Sequence, residues 1–143
     1  MDYPSAQDEV SILMRDQGTA GQKKVNMINP VVTTDQLTEA RNKVNSIYID
    51  EKIAGYITSI VNSTRNNTDI LLGASPRASI AIMKTSKALA MINGRDYVIP
   101  DDIKKVALPA LRHRIILSPE KEMEGTNPDK MIGFILDRTE VPR

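Results

Sequence analysis

One cation in this sequence stands where local electrostatics disfavour it. Ser75-Pro76-Arg77 reads as the start of a helix. Ser75 is a good N-cap, because its hydroxyl can accept from an orphan N–H of the first turn. Pro76 follows at the first helical position, where its missing N–H costs nothing. Arg77 then places a positive charge in the first turn, where the helix dipole is already positive and Asp or Glu is favoured. For an exposed residue the penalty is only about a few tenths of a kcal/mol. The placement makes sense if Arg77 and the helix N-terminus together face an anion. A solvated surface arginine explains the same letters.

Other stretches imitate chemistry without completing it. Gly18-Thr19-Ala20-Gly21-Gln22-Lys23 suggests a phosphate loop, yet no Gly-Lys-Ser/Thr occurs anywhere in the sequence. Ile47-Tyr48-Ile49-Asp50-Glu51 resembles the acidic end of a strand that holds magnesium in phosphoryl-transfer enzymes. Asp50 as a helix cap and Glu51 as a first-turn acid account for it more simply. Arg112-His113-Arg114 could bind an anion, or could be a basic helix C-terminus favoured by the dipole. No nucleophile, base and orienting group come together. Cysteine is absent and His113 is the single histidine, so thiolate and multi-histidine metal sites are excluded. No catalytic residue and no metal site is assigned to this chain.

The elements that must hold Arg77 are helices. The chain has 143 residues, 41% hydrophobic and 26% charged, enough for one domain with a core. Aromatics are 3%, with one Phe and no Trp, so the core must be Ile, Leu, Val, Met and Ala. That suits packed helices better than a β-sandwich. The net charge of +1 and the few aromatics argue against a nucleic-acid partner. No apolar run reaches membrane-spanning length and no signal-peptide pattern opens the chain, so a cytoplasmic protein is expected.

Ser5 and Asp8 make a capping box for a first helix with Ala6, Val10, Leu13 and Met14 on its apolar face, stopped by Gly18. A mobile loop is expected at about 18–26, and an extended piece from Met27 to Val32. Thr33 or Thr34 caps a second helix carrying Leu37, Ala40 and Val44. Asp50 caps a third, with Ile53, Ile57, Ile60, Val61 and Thr64 on the buried face and Asn66-Asn67 at its end. The central helix follows Ser75. Its expected stripe is Ala78, Ala81, Ile82, Thr85, Ala88, Leu89 and Ile92, and Asn93-Gly94 closes it. Pro100 opens a helix with Asp101 and Asp102 in the first turn, which Pro109 kinks or shortens. Ile115-Ile116-Leu117 reads as a small strand. Asn127-Pro128 starts a last short helix bearing Met131, Ile132, Ile135 and Leu136. The expected fold is mostly α, a small bundle of five to six helices with minor extended pieces.

Four blocks, in this order and spacing, resemble the C-terminal lid of MoxR-family AAA+ ATPases. They are Gly73-Ala74-Ser75-Pro76-Arg77-Ala78, Gly94-Arg95-Asp96-Tyr97-Val98, Pro100-Asp101-Asp102 and Leu111-Arg112-His113-Arg114. The opening Asp2-Tyr3-Pro4-Ser5, followed by Asp8 and Glu9, looks like the family's chain leaving its ATPase core. The similarity runs from Tyr3 to about Leu117. It implies a connector at 1–4, a helical lid at 5–117 and a C-terminal tail with a short helix at 118–143.

The resemblance also implies a function. The Walker motifs would lie in a core before Met1, and the lid would couple ATP binding and hydrolysis to chaperone-like remodelling or maturation of proteins. Arg77 falls at the family's sensor 2 position, facing the ATP phosphates with Ser75 and Pro76 at the helix N-terminus. ATP and magnesium would be bound by the full-length parent, whose neighbouring subunits would form a hexameric ring. The fragment alone is expected to be inactive. Ile99 departs from the family pattern, which has Thr before this proline. The competing reading is a free-standing helical adaptor or DNA-binding module without enzymatic activity. A basic stripe on one recognition helix would favour it.

Overall fold

A computed structural model describes residues 3–18 and 29–142. The chain divides into two units, Met1–Leu37 and Thr38–Arg143.

In the first unit, helix α1 spans Ala6–Gly18. Its N-terminus is closed as the sequence implies: the Asp8 N–H donates to Ser5 Oγ at 3.2 Å, and the Ser5 hydroxyl donates to Asp8 Oδ2 at 2.6 Å. Its apolar face is not a buried one, however. Val10, Leu13 and Met14 are exposed, and so is Ile12. The loop expected at 18–26 lies, beyond Gly18, outside the described residues, as does the start of the extended piece. Residues 29–32 form no strand. Helix α2, Thr34–Ser46, begins in this unit and continues past Leu37 into the second. Thr33 and Gln36 form a reciprocal box, with Thr33 Oγ1 accepting from the Gln36 N–H at 3.2 Å and Gln36 Oε1 from the Thr33 N–H at 2.8 Å. No residue of α2 is fully buried; Leu37 is exposed, and Ala40 and Val44 are half-buried.

The second unit holds the core. Helix α3 is Glu51–Arg65, α4 is Pro76–Ile92, α5 is Pro100–Leu111, α6 is Pro119–Met123 and α7 is Pro128–Arg138. Strand β1, Ile70–Leu72, pairs antiparallel with β2, Ile116–Leu117. Helix α3 touches α4, α5, α7 and β1, and α5 touches α4 and α7. The fully buried side chains include Ile60, Val61, Ile82, Ile103, Leu111, Leu117 and Ile132. This is the aliphatic core that the composition demands, with Tyr56 as its one buried aromatic among the described residues. Removing such chains from water is the main drive holding the helices together.

The five expected core residues of α3 are all buried, with Tyr56 added. Asp50 caps α3, accepting from the Lys52 N–H at 2.8 Å, so its magnesium-like setting in the sequence is a helix start. In α7, Met131, Ile132 and Ile135 are buried and Leu136 packs against the core. Pro109 does not truncate α5 at once; the helix continues for two residues, to Leu111. Seven helices form among the described residues, one more than the sequence pattern indicates. The addition is the single short turn of α6.

Helix α4 departs from expectation. Its buried residues are Ala78, Ile82, Ser86 and Ala90, a line of steps of four. Thr85 and Ile92 face out, Ile92 being 78% exposed, and Ala81, Ala88 and Leu89 are only half-buried. The cause is Ser86, which satisfies its hydroxyl within the helix by donating to the Ile82 carbonyl at 2.8 Å. A small, satisfied Ser can then lie inside, and the stripe turns toward it. The helix ends as the sequence says. Gly94 adopts φ +73°, the Gly94 N–H donates to the Met91 carbonyl and the Arg95 N–H to the Ala90 carbonyl, each at 2.9 Å. These paired bonds around a left-handed glycine make a Schellman closure.

Candidate functional site

The start of α4 is placed by the last turn of α3. Thr64 is fully buried, and its hydroxyl donates to the Val61 carbonyl at 2.6 Å. The same oxygen accepts from the Ala74 N–H at 2.9 Å. Arg65 Nε donates to the Ala74 carbonyl at 2.7 Å, and Arg65 Nη1 donates to Asn62 Oδ1 at 3.1 Å. Both backbone groups of Ala74 are therefore held by side chains of α3. Gly73 makes this approach possible. A Cβ there would lie 2.6 Å from the Thr64 carbonyl oxygen and 2.8 Å from Arg65 Cα. The glycine is required by space and not by its torsion angles, since Gly94 and Gly125 are the residues with positive φ among those described.

Ser75, Pro76 and Arg77 follow directly on this clamped strap, and all three are exposed. Ser75 occupies the N-cap position, but its hydroxyl makes no capping bond. The Ala78 N–H is taken by the Ser75 carbonyl instead, at 2.8 Å. The Arg77 side chain forms no hydrogen bond or ion pair among the described residues. No acid stands in the first turn of α4. The result is an exposed helix mouth carrying the positive dipole end, an unused hydroxyl and an unpaired guanidinium.

The next loop is closed off. Asp102, at 1% exposure, accepts from Arg95 Nη1 at 2.8 Å and from Nη2 at 2.6 Å. It also accepts from the Ile99 N–H at 3.1 Å, and Arg95 Nη1 donates to the Tyr97 carbonyl at 3.0 Å. Ile99 offers no side-chain acceptor to α5, so Asp102 seals this start, its carboxylate accepting from the Ile99 N–H and its own N–H donating to the Ile99 carbonyl at 3.0 Å. Burial pushes the Asp102 carboxyl up, but the Arg95 hydrogen bonds, the Ile99 N–H and the charges of Arg95 and Lys105 outweigh it and hold the group below the usual carboxylate range. Sequence spacing showed Asp102 only as a first-turn acid. Its place three residues into the helix, where a capping-box acid belongs, was the available signal. No such rule links Arg65 to Ala74 or Arg95 to Asp102.

The Arg112-His113-Arg114 triplet does not assemble a site. Arg112 Nε pairs with Asp129 Oδ1 at 3.3 Å, both half-exposed, and His113 is exposed. Arg114 is half-buried and its Nε has no partner among the described residues. A groove of about 870 Å³ opens beside the C-terminal half of α3, lined by Asn62, Asn66, Lys121, Phe134 and Arg138, and none of residues 73–77 borders it. Among the described residues there is no group of three metal-ligating side chains, and no helix is long and apolar enough to cross a membrane.

Residues 62–132 match the AAA lid domain, and this segment contains the strap, the helix mouth and the Arg95–Asp102 pair. The chain belongs to the AAA lid family of MoxR-like AAA+ ATPases. The uncharacterised protein YeaC of Bacillus subtilis is 35% identical to the lid chain over 99% of its length and 43% of YeaC. Chaperone MoxR1 of Mycobacterium tuberculosis is 29% identical over 99% of the chain and 38% of that protein. A crystal structure of a candidate ATPase from Cytophaga hutchinsonii superposes with a TM-score of 0.76 at 32% identity, covering the whole lid chain and 45% of the solved one. The chain thus spans less than half the length of these relatives.

Proposed function

We propose that this lid closes over the nucleotide of a MoxR-like ATPase, with Arg77 as the sensor 2 arginine. ATP with magnesium supplies the γ-phosphoryl group that is transferred to water. The lid's contribution is electrostatic. Arg77 brings a fixed guanidinium, and the mouth of α4 brings its dipole, to the side where phosphate charge develops. Ser75 and Pro76 shape that mouth: the proline removes one donor, and the free hydroxyl of Ser75 is available to a phosphate oxygen. The observation that carries the reading is Arg77 itself, exposed and unpaired at a helix start with no acid beside it. The parent works as a hexameric ring in the cytoplasm, and couples hydrolysis to chaperone-like remodelling or maturation of protein clients. The relative named a chaperone supports that role.

The test separates lid from core. The isolated chain is expected to unfold cooperatively as a helical protein and to show no magnesium-dependent ATP turnover. An ATPase carrying this lid is expected to lose most of its turnover when the lid is deleted. Turnover by the isolated chain, or full turnover without the lid, contradicts the proposal. A salt-dependent mobility shift with duplex DNA would instead favour the DNA-binding reading.

A further inference from the structure

We infer that Thr64 and Arg65 are positioning residues for Arg77, acting through the backbone of Ala74. This rests on the sensor 2 reading and adds what fixes the sensor in place. Three observations point the same way. The Ala74 N–H and carbonyl are each taken by a side chain from the last turn of α3, at 2.9 Å and 2.7 Å. Gly73 admits no side chain, because the α3 backbone lies against it. The strap so held is three residues from Arg77, and the Arg77 side chain has no hydrogen bond or ion pair among the described residues to set its direction. The aim of the guanidinium is therefore inherited from the strap. The planar guanidinium of Arg65 suits such a clamp. Its Nε reaches Ala74 while Nη1 is braced by Asn62 at 3.1 Å, so the fork cannot turn freely. Ser75 offers no second anchor, since its hydroxyl makes no capping bond.

A positioning role predicts more than a stability loss. In the isolated chain, hydrogen exchange at the Ala74 amide should accelerate about tenfold or more in Thr64→Val, which keeps the shape but removes the acceptor. Thr64→Ser should restore it. In the ATPase carrying this lid, Arg65→Ala should lower kcat about ten- to hundredfold with a smaller change in KM, as misplacement of a charge-stabilising group does. Arg65 is exposed, so this variant is expected to fold. The decisive readout is the double variant. If Arg65 acts through Arg77, then Arg65→Ala should cost nothing further once Arg77 is Ala. Equal fold-losses in both backgrounds, or an unchanged kcat in Arg65→Ala, overturn the positioning role while leaving the sensor reading intact. Parent-level turnover in Arg77→Ala alone overturns the sensor reading and the positioning role with it. Unchanged Ala74 exchange in Thr64→Val overturns the part assigned to Thr64.

Discussion

Four helices of this lid begin with proline, and two of them, α4 and α5, solve the same problem in opposite ways. Helix α4 starts Ser75-Pro76 with a residue that caps well, and the cap is not used. Helix α5 starts Ile99-Pro100 with a residue that cannot cap, and the start is sealed by a buried carboxylate reaching back from Asp102. At α5 the nearby cation, Arg95, is spent on that carboxylate. At α4 the nearby cation, Arg77, has no partner among the described residues and stands on an exposed turn. The contrast teaches how to tell a structural charge from an available one. A chain that can satisfy a poor start from within has the means to satisfy a good one. Where it leaves donors and a cation open, as at α4, a ligand is the complement we propose.

The largest expected effect lies at the sealed start. Asp102→Ala should destabilise the domain by about 1–3 kcal/mol, because the Ile99 N–H and the Arg95 guanidinium lose their shared acceptor. Urea unfolding checks this, and a loss under about 1 kcal/mol would mean that the pair does not hold α5. The same carboxylate gives a pH signature. Its folded pKa is below its unfolded value, so its stabilisation is complete above the unfolded pKa of about 4 and is lost as pH falls through the lower folded value. The urea midpoint of the parent should therefore fall more steeply on acidification below about pH 4 than that of Asp102→Asn. Parallel curves would remove Asp102 as the titrating group.

A smaller pair of effects sharpens the comparison between caps. Asn127 caps α7 with a 2.9 Å bond from the Lys130 N–H. Asn127→Ala should cost about 1 kcal/mol, the ordinary loss of a helix cap. Ser75→Ala should stay within about 0.5 kcal/mol, since no bond is lost. Equal losses at the two positions would show that Ser75 caps in solution.

Much of this architecture was legible in the sequence. Caps at Ser5, at Thr33 or Thr34, at Asp50 and at Asn127 follow from short-range side-chain chemistry, and Ser5, Thr33, Asp50 and Asn127 form them. The buried faces of α3 and α7 follow from apolar spacing, because those helices pack with their greasiest side inward. The facing of α4 was not legible. Its contact line carries three small residues, Ala78, Ser86 and Ala90, around Ile82, and a buried Ser is indistinguishable by type from a surface one. The apolar letters of α1 fall at helical spacing but do not make a buried face. At the site, Arg77 was visible as an electrostatic anomaly, whereas the clamp of Thr64 and Arg65 on Ala74 depends on a tertiary approach across nine residues or more. No local rule encodes that.

The central claim is that Arg77 is held for a ligand and not for the fold, and one variant tests both halves. Arg77→Ala should shift the unfolding free energy of this domain by no more than about 0.5 kcal/mol, as surface changes do. In the ATPase carrying the lid it should reduce ATP turnover steeply, toward the roughly 10³–10⁵-fold reached by arginines that stabilise a transferring phosphoryl group. Arg77→Lys should recover only part of it, because a point charge replaces a planar fork. A stability loss of several kcal/mol in the domain, or unchanged turnover in the ATPase, would contradict the account.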